Sequence, residues 1–143
     1  MIESILLVDD ENLFHLVFED ACSLLDISLT LESVSSADEA EKMFKQWMSN
    51  PDGKPECAFV DLNIIGSTFD GIELIRRINY LYGNGVVIGI ISSSSDQMEI
   101  QRAVQSGAQF WIVKSDDIEP RLEEFKSDYP GYKTRSAGFK VYK

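Results

Sequence analysis

The sequence predicts an α/β fold in which five strands and five helices alternate as (βα)₅ in one doubly wound parallel sheet. Five short apolar runs, rich in branched side chains, alternate with segments whose apolar residues recur at helical spacing. Strands separated by helices form a parallel sheet, and right-handed crossovers place helices on both of its faces. The chain has 143 residues and shows no internal repeat or linker, so a single domain can contain most of it.

The strands are predicted from the length and pattern of the apolar runs. The second run alternates apolar and polar residues, whereas the others are continuously apolar, as in strands covered on both faces. The fourth run is the most hydrophobic stretch of the chain, which is typical of a central strand. The predicted strands occupy residues 5–8, 27–34, 57–60, 86–91 and 110–113.

The helices are predicted from their start and stop signals. Ser36, with Glu39 three residues later, forms a capping box, and Asp70 is a good N-cap for the third helix. A turn cluster at 50–55 ends the second helix. The last helix has Pro120 in its first turn, where proline is tolerated. The helices are predicted to begin near residues 12, 36, 70, 96 and 117, and the last one to end near residue 126.

The charge of the chain is unevenly distributed. The net charge is −11, which argues against a general nucleic-acid binder, and we expect no direct contact with nucleic acid. Residues 129–143 carry four basic residues and no acid, so this tail is +4 and the remainder is −15. We expect one domain over residues 1–128 and a solvated, partly disordered tail over 129–143. The alternative is that the tail docks a partner or the edge of a membrane.

Cysteine usage and the N-terminus indicate the compartment. Cys22 and Cys57 make neither a disulfide framework nor a zinc site, and both are most simply buried thiols. The N-terminus lacks the basic region of a signal peptide, and no stretch approaches the roughly 18 apolar residues that span a bilayer. We therefore expect a cytoplasmic protein.

Polar side chains follow four of the predicted strands. Asp9 and Asp10 follow the first strand, Asp61 the third, Ser92 the fourth and Lys114 the fifth. The carboxyl ends of parallel strands meet at one edge of the sheet, which is where such sheets bind ligands. Two carboxylates 4 Å apart repel by about 4 kcal/mol at an effective dielectric constant of 20. A cluster of carboxylates therefore favours a bound cation, and an all-oxygen ligand set suits Mg²⁺.

The same residue types fit phosphoryl transfer. Mg²⁺, the Lys114 ammonium and the Ser92 hydroxyl would surround a transferring phosphoryl group, and Asp61 could be its nucleophile by forming an aspartyl phosphate. Each residue alone has a simpler explanation, as a helix cap, a turn residue or an exposed strand end. Their occurrence at successive strand ends favours a reactive site. The single histidine, His15, is expected on a solvent face without a role.

Five motifs carry a resemblance to a known family. They are LLVDDE at 6–11, FVDLN at 59–63, DGIELI at 70–75, IISS at 90–93 and GAQFWIVK at 107–114. Together they resemble the receiver domain of a two-component response regulator over residues 3–127. The resemblance implies a flavodoxin-like fold with strand order 2-1-3-4-5. It also implies that Asp61 accepts a phosphoryl group from a phosphohistidine donor, either a sensor histidine kinase or a histidine phosphotransfer protein.

The resemblance assigns roles to the site residues. It implies that Asp10 and Asp61 bind Mg²⁺ directly, that the backbone carbonyl of Asn63 is a further ligand, and that Asp9 acts through a water molecule. Such a domain is not a classical enzyme, but it catalyses its own phosphorylation and dephosphorylation. The residues implied in that catalysis are Asp61, Ser92 and Lys114.

Three departures from the family pattern affect how the domain would switch. Ser115 stands where receivers usually have proline, and the loop at 62–69 lacks proline and is about two residues longer than usual. Trp111 replaces a smaller aromatic residue, so its bulk limits an inward swing. Phosphorylation is expected to draw Ser92 toward the phosphoryl group and to change the surface formed by helix four, strand five and helix five.

The departures leave a second function open. The chain could be a pseudo-receiver, a protein-interaction module that works without phosphorylation. A third possibility, an aspartate-dependent phosphatase for small molecules, needs a substrate pocket or cap for which the short loops leave no room.

Overall fold

A single parallel sheet with helices on both faces organises the chain. The computed structural model describes residues 2–115 and 117–143. Within these residues the strands are β1 Ile2–Val8, β2 Ser28–Val34, β3 Cys57–Asp61, β4 Val87–Ser92, β5 Phe110–Val113 and β6 Lys140–Tyr142. The helices are α1 Asn12–Leu24, α2 Ala37–Ser49, α3 Gly71–Tyr82, α4 Gln97–Gln105 and α5 Glu119–Lys133. The strand order is β2-β1-β3-β4-β5-β6, and every adjacent pair is parallel.

This architecture confirms the predicted fold class and the order 2-1-3-4-5, to which the structure adds a sixth strand. Two predicted helix starts are also confirmed by side-chain hydrogen bonds. Ser36 Oγ accepts a hydrogen bond from the Glu39 amide at 3.1 Å, and Asp70 Oδ1 accepts one from the Glu73 amide at 2.9 Å. No helix in the described part of the chain is both long and apolar enough to cross a bilayer.

The core has two layers, one on each face of the sheet. Alternate residues of β3 point to opposite faces, so Ala58 and Val60 pack toward α2, α3 and α4, whereas Phe59 packs toward α1 and α5. All five residues of β3 are buried. The Phe59 ring contacts Phe18 and Phe125 at centroid distances of 5.0 and 5.1 Å, which ties α1 and α5 to the central strand.

The C-terminal segment differs from the expectation of a disordered tail beyond residue 128. Helix α5 continues through the expected boundary to Lys133, and β6 extends the sheet by pairing with β5. Tyr132 and Tyr142 are buried, and their hydroxyl oxygens lie 2.8 Å apart. The Tyr142 hydroxyl donates to Asp128 Oδ2 at 2.7 Å, so α5 and β6 hold each other in place.

Candidate active site

Asp61 is the last residue of β3 and lies at the carboxyl edge of the sheet. Only 8% of the residue is exposed. Helix α3 begins very close to it, because a Cβ atom on Gly71 would lie 2.0 Å from the Asp61 carbonyl oxygen. The Gly71 amide donates to the carbonyl of Leu62 at 2.8 Å. A glycine at the first position of α3 therefore allows the helix to pack against the end of β3.

Asp9 follows β1 directly and is fully buried. Its amide donates to the carbonyl of Val34 at 3.0 Å, which fixes the chain at the end of β1. Its Oδ1 accepts a hydrogen bond from the Glu11 amide at 2.8 Å. Its Oδ2 lies 2.7 Å from the Nζ of Lys114, and no well-aligned hydrogen-bond donor reaches this oxygen from the described residues. A buried carboxylate with an incompletely satisfied oxygen can accept a cation.

Lys114 supplies the positive charge of the cluster. Its amide donates to the Ser92 carbonyl at 2.7 Å, so the residue continues the ladder between β4 and β5. Its Nζ lies 2.7 Å from Asp9 Oδ2, 2.7 Å from Glu11 Oε1 and 3.4 Å from Asp61 Oδ2. Burial lowers the pKa of the Lys114 ammonium, but the three carboxylates outweigh this effect and hold the pKa above its ordinary value.

The pKa of the Asp61 carboxyl group is also raised, but for an acid this shift disfavours the charged form. Burial, and then the negative charge of Asp9, raise its pKa to about 6. Lys114 opposes the shift but does not cancel it, because its ammonium is shared with two other carboxylates. The site therefore has more negative charge than its one lysine compensates.

The donor atoms fit a hard divalent cation. Carboxylate oxygens of Asp9, Glu11 and Asp61 all lie within 4.8 Å of one another. Oxygen ligands of this kind suit Mg²⁺ and similar ions. Glu11 was missed by the sequence analysis; the only signal for it is that it continues the acidic run at 9–11. Asp10 is half-buried beside this group but is not part of it, and Asn63 is exposed two residues after Asp61.

Ser92 connects the site to Trp111. Ser92 ends β4, is 4% exposed, and its Oγ accepts a hydrogen bond from the Ser94 amide at 3.2 Å. The Ser94 carbonyl accepts a hydrogen bond from Trp111 Nε1 at 2.9 Å. Trp111 is fully buried in the core layer beneath α4. The predicted site residues Asp9, Asp61, Ser92 and Lys114 thus lie together at one edge, and the bulky indole is already turned inward.

Two further details of the site edge go beyond the sequence expectations. His15 is half-buried instead of solvated, and its Nε2 lies 2.5 Å from the backbone oxygen of Asp9. The long loop at 62–69 is docked on α2: Ser67 Oγ accepts from the Ala37 amide at 2.9 Å, and Asp38 Oδ2 accepts from the Thr68 amide at 2.8 Å. These bonds satisfy amides at the start of α2 and within the loop.

The fold and the site define a class of flavodoxin-like domains with an acidic cluster at the carboxyl edge of a parallel sheet. The sequence model of the response regulator receiver domain matches residues 5–124. The chain belongs to the response regulator receiver domain family of two-component signalling. No curated protein matches the chain.

Solved structures share the fold at low sequence identity. The Mn²⁺-bound form of response regulator Rcp1 has a TM-score of 0.75 and 16% identity, covering 89% of this chain and 94% of that one. A CheY-like receiver domain protein from Methanospirillum hungatei JF-1 has a TM-score of 0.72 and 16% identity, covering 94% and 99%. The CheX–CheY–BeF₃–Mg²⁺ complex from Borrelia burgdorferi has a TM-score of 0.71 and 20% identity, covering 89% of both chains. At these identities the likeness shows the fold.

Proposed function

We propose that this chain is a phosphorylation-dependent signalling switch in which Asp61 accepts a phosphoryl group from a phosphohistidine donor, with Mg²⁺ as cofactor. The donor would be a sensor histidine kinase or a histidine phosphotransfer protein. The observation that carries the proposal is the arrangement around Asp61. Its carboxylate ends a buried strand, one lysine is shared with the neighbouring acids, and its pKa is raised to about 6.

The chemistry follows from that arrangement. One Asp61 carboxylate oxygen attacks phosphorus, an O–P bond forms, and the N–P bond to the donor imidazole breaks. The electron pair of the broken bond returns to the imidazole nitrogen. The Lys114 ammonium and the Ser92 hydroxyl would donate hydrogen bonds to the phosphoryl oxygens. At neutral pH a carboxyl group with a pKa of about 6 is mostly ionised, so Asp61 is available as a nucleophile.

The metal set stays a prediction that the acidic cluster supports. Asp9, Asp10 and Asp61, with the backbone carbonyl of Asn63, would hold Mg²⁺, and Glu11 lies within the same cluster. When bound, Mg²⁺ would neutralise negative charge on the phosphoryl oxygens. The free, buried thiols of Cys22 and Cys57 support a reducing, cytoplasmic location for this reaction.

Phosphate labelling tests the proposal. Incubation with radiolabelled acetyl phosphate and Mg²⁺ should label the protein, and either Asp61→Asn or the addition of EDTA should abolish the label. Asp20→Asn is a matched control, because Asp20 is an exposed acid on α1 and the substitution makes the same chemical change. If Asp61→Asn were labelled at the normal rate, Asp61 would not be the acceptor.

A pseudo-receiver is the second candidate, and one observation favours it. Trp111 is fully buried and its indole is hydrogen-bonded to the Ser94 carbonyl, an arrangement that leaves little room for an aromatic swing. Titration with beryllofluoride and Mg²⁺, followed by amide chemical shifts, separates the two candidates. A switch should show changes that extend from Asp61 to Trp111, whereas a static module should show none beyond the surroundings of Asp61.

A further inference from the structure

Glu11 has an unusual position for an exposed side chain. Its side chain is 61% exposed, yet its Oε1 lies 2.7 Å from the Nζ of Lys114. Its backbone is fixed as well, because the Glu11 amide donates to Asp9 Oδ1 at 2.8 Å. The side chain reaches the lysine from the solvent side, where Glu11 and Lys114 both line a surface cavity of about 260 Å³.

The ammonium of Lys114 has as many carboxylate neighbours as it has protons to donate. An ammonium carries three N–H donors. Two carboxylates, those of Asp9 and Glu11, lie at 2.7 Å, and the third, Asp61, lies at 3.4 Å. Lys114 is therefore held more closely by the two acids that follow β1 than by Asp61.

A phosphoryl group on Asp61 would need the Lys114 ammonium closer to Asp61 than the present 3.4 Å, so the ammonium has to move away from one of the two carboxylates that lie 2.7 Å from it. Asp9 is fully buried, and a buried carboxylate that loses its cation is strongly destabilised. Glu11 is exposed at the cavity, so water can replace the ammonium at little cost. Glu11 is consequently the partner that Lys114 can leave most easily.

We propose that Glu11 is a positioning residue that competes with the phosphoryl group for Lys114 and thereby weakens the phosphorylated state. It acts through Lys114 and does not touch the reacting atoms. This inference rests on the proposed function. In the unphosphorylated protein Glu11 holds the ammonium away from Asp61, and phosphorylation breaks that ion pair.

The test measures the dissociation constant of beryllofluoride, a phosphoryl mimic. It is carried out at saturating Mg²⁺, where adding more Mg²⁺ no longer changes that constant. Glu11→Gln should bind beryllofluoride about two- to fivefold more tightly than the unmodified chain, a range set by the strength of an exposed ion pair. Glu19→Gln is the matched control, because Glu19 is an exposed acid of α1 and loses the same charge. It should leave the affinity unchanged.

A double-mutant cycle shows whether Glu11 acts through the lysine. In a Lys114→Gln background, Glu11→Gln should have no effect on beryllofluoride affinity. An equal gain in affinity in that background would show that Glu11→Gln acts only through the net charge of the protein, and it would overturn the proposal. Unchanged binding of beryllofluoride by the single Glu11→Gln variant would also overturn the proposal. Weaker binding would overturn it as well, because it would show that Glu11 acts as a metal ligand. If the unmodified chain bound no beryllofluoride at all, the proposed function itself would fail.

Discussion

Two lysines of this domain, Lys114 at the site and Lys140 on β6, each bridge more than one carboxylate, but one acid beside each lysine has its pKa shifted in the opposite direction. Lys114 lies among Asp9, Glu11 and Asp61, and its side chain is 9% exposed. Lys140 Nζ lies 2.6 Å from a Glu124 oxygen and 2.9 Å from Asp128 Oδ2, and its side chain is 44% exposed.

The pKa shifts of the neighbouring carboxyl groups differ in direction. Burial and the charge of Asp9 raise the pKa of Asp61 to about 6. Hydrogen bonds from Tyr142 and Lys140 hold the pKa of Asp128 below its ordinary value. Ion pairs of the same kind thus secure a strand where solvent helps to screen the charges, and they leave a reactive excess of negative charge where it does not.

The largest expected effect concerns burial at the C-terminal segment. Tyr142→Ala should lower the free energy of unfolding by about 3–5 kcal/mol, as for other large aromatic side chains removed from a core. The Tyr142 ring is 2% exposed and packs on Phe125 at a centroid distance of 5.9 Å. Urea unfolding measures the loss. Tyr142→Phe keeps the ring and should lose only about 1 kcal/mol. A loss below about 1 kcal/mol for Tyr142→Ala would contradict a docked β6.

The next largest loss of stability is expected when the buried cluster loses its lysine. Lys114→Gln should lower the free energy of unfolding by about 3 kcal/mol at pH 7.5 in EDTA, because it leaves buried carboxylates without their cation. The loss should shrink at pH 5, since a carboxyl group whose pKa is about 6 is then largely protonated. Denaturant unfolding at the two pH values checks this. An equal loss at both would mean that the lysine acts through packing alone.

Removing the charge of the Asp61 carboxyl group is expected to stabilise the fold. Its pKa rises from 3.8 to about 6 in the folded chain, so the folded state binds the proton more tightly. The associated stability is present below pH 4 and is lost as the pH rises through 6. Asp61→Asn should therefore raise the free energy of unfolding by about 3 kcal/mol at pH 7.5 in EDTA.

The pH dependence separates this explanation from a packing effect. In Asp61→Asn the decline in stability between pH 4 and pH 6 should be smaller than in the unmodified chain. Parallel stability curves over that interval, measured by urea unfolding, would show that Asp61 is not an unfavourably buried acid.

The smallest effect is expected at the exposed lysine. Lys140→Gln should lower the free energy of unfolding by less than any of the changes above, and the loss should diminish in high salt. Lys143→Gln, at an exposed neighbouring position, is the control for the change in net charge. A loss at Lys140 as large as that at Lys114 would remove the distinction between the two lysines.

The sequence predicts the sheet and most of the site because both depend on local patterns. Apolar runs of strand length locate the five strands of the family fold, and parallel connections bring their carboxyl ends to one edge. The side chains of Asp9, Asp61, Ser92 and Lys114 lie at that edge as expected. The N-caps Ser36 and Asp70 are also predictable, since a cap needs only its own side chain and the amide three residues later.

The sixth strand was not predictable from local patterns. Pro130 and Gly131 resemble a helix stop, yet α5 continues through both because Tyr129 and Tyr132 are buried. Strand β6 has only three residues, and its stability depends on partners in β5 and α5. Contacts of this kind become visible only after the chain has folded.

The place of Glu11 in the cluster was missed for a different reason. Asp10 and Glu11 are adjacent acids, and spacing alone does not tell which of the two side chains turns toward Lys114. The answer depends on the backbone just after β1, where Asp9 Oδ1 accepts the Glu11 amide. In the structure the carboxylate of Glu11 reaches the lysine, and Asp10 lies outside the group.

Locating the phosphoryl group itself tests most directly whether Asp61 is the phosphoryl acceptor. The chain is phosphorylated with acetyl phosphate and Mg²⁺, the acyl phosphate is reduced with borohydride, and the modified residue is identified by peptide mass spectrometry. Reduction converts a phosphorylated aspartate to homoserine. We predict homoserine at position 61 alone. Modification of Asp9 or Asp10 with an intact Asp61, or no modification at any aspartate, would show that Asp61 is not the phosphoryl acceptor.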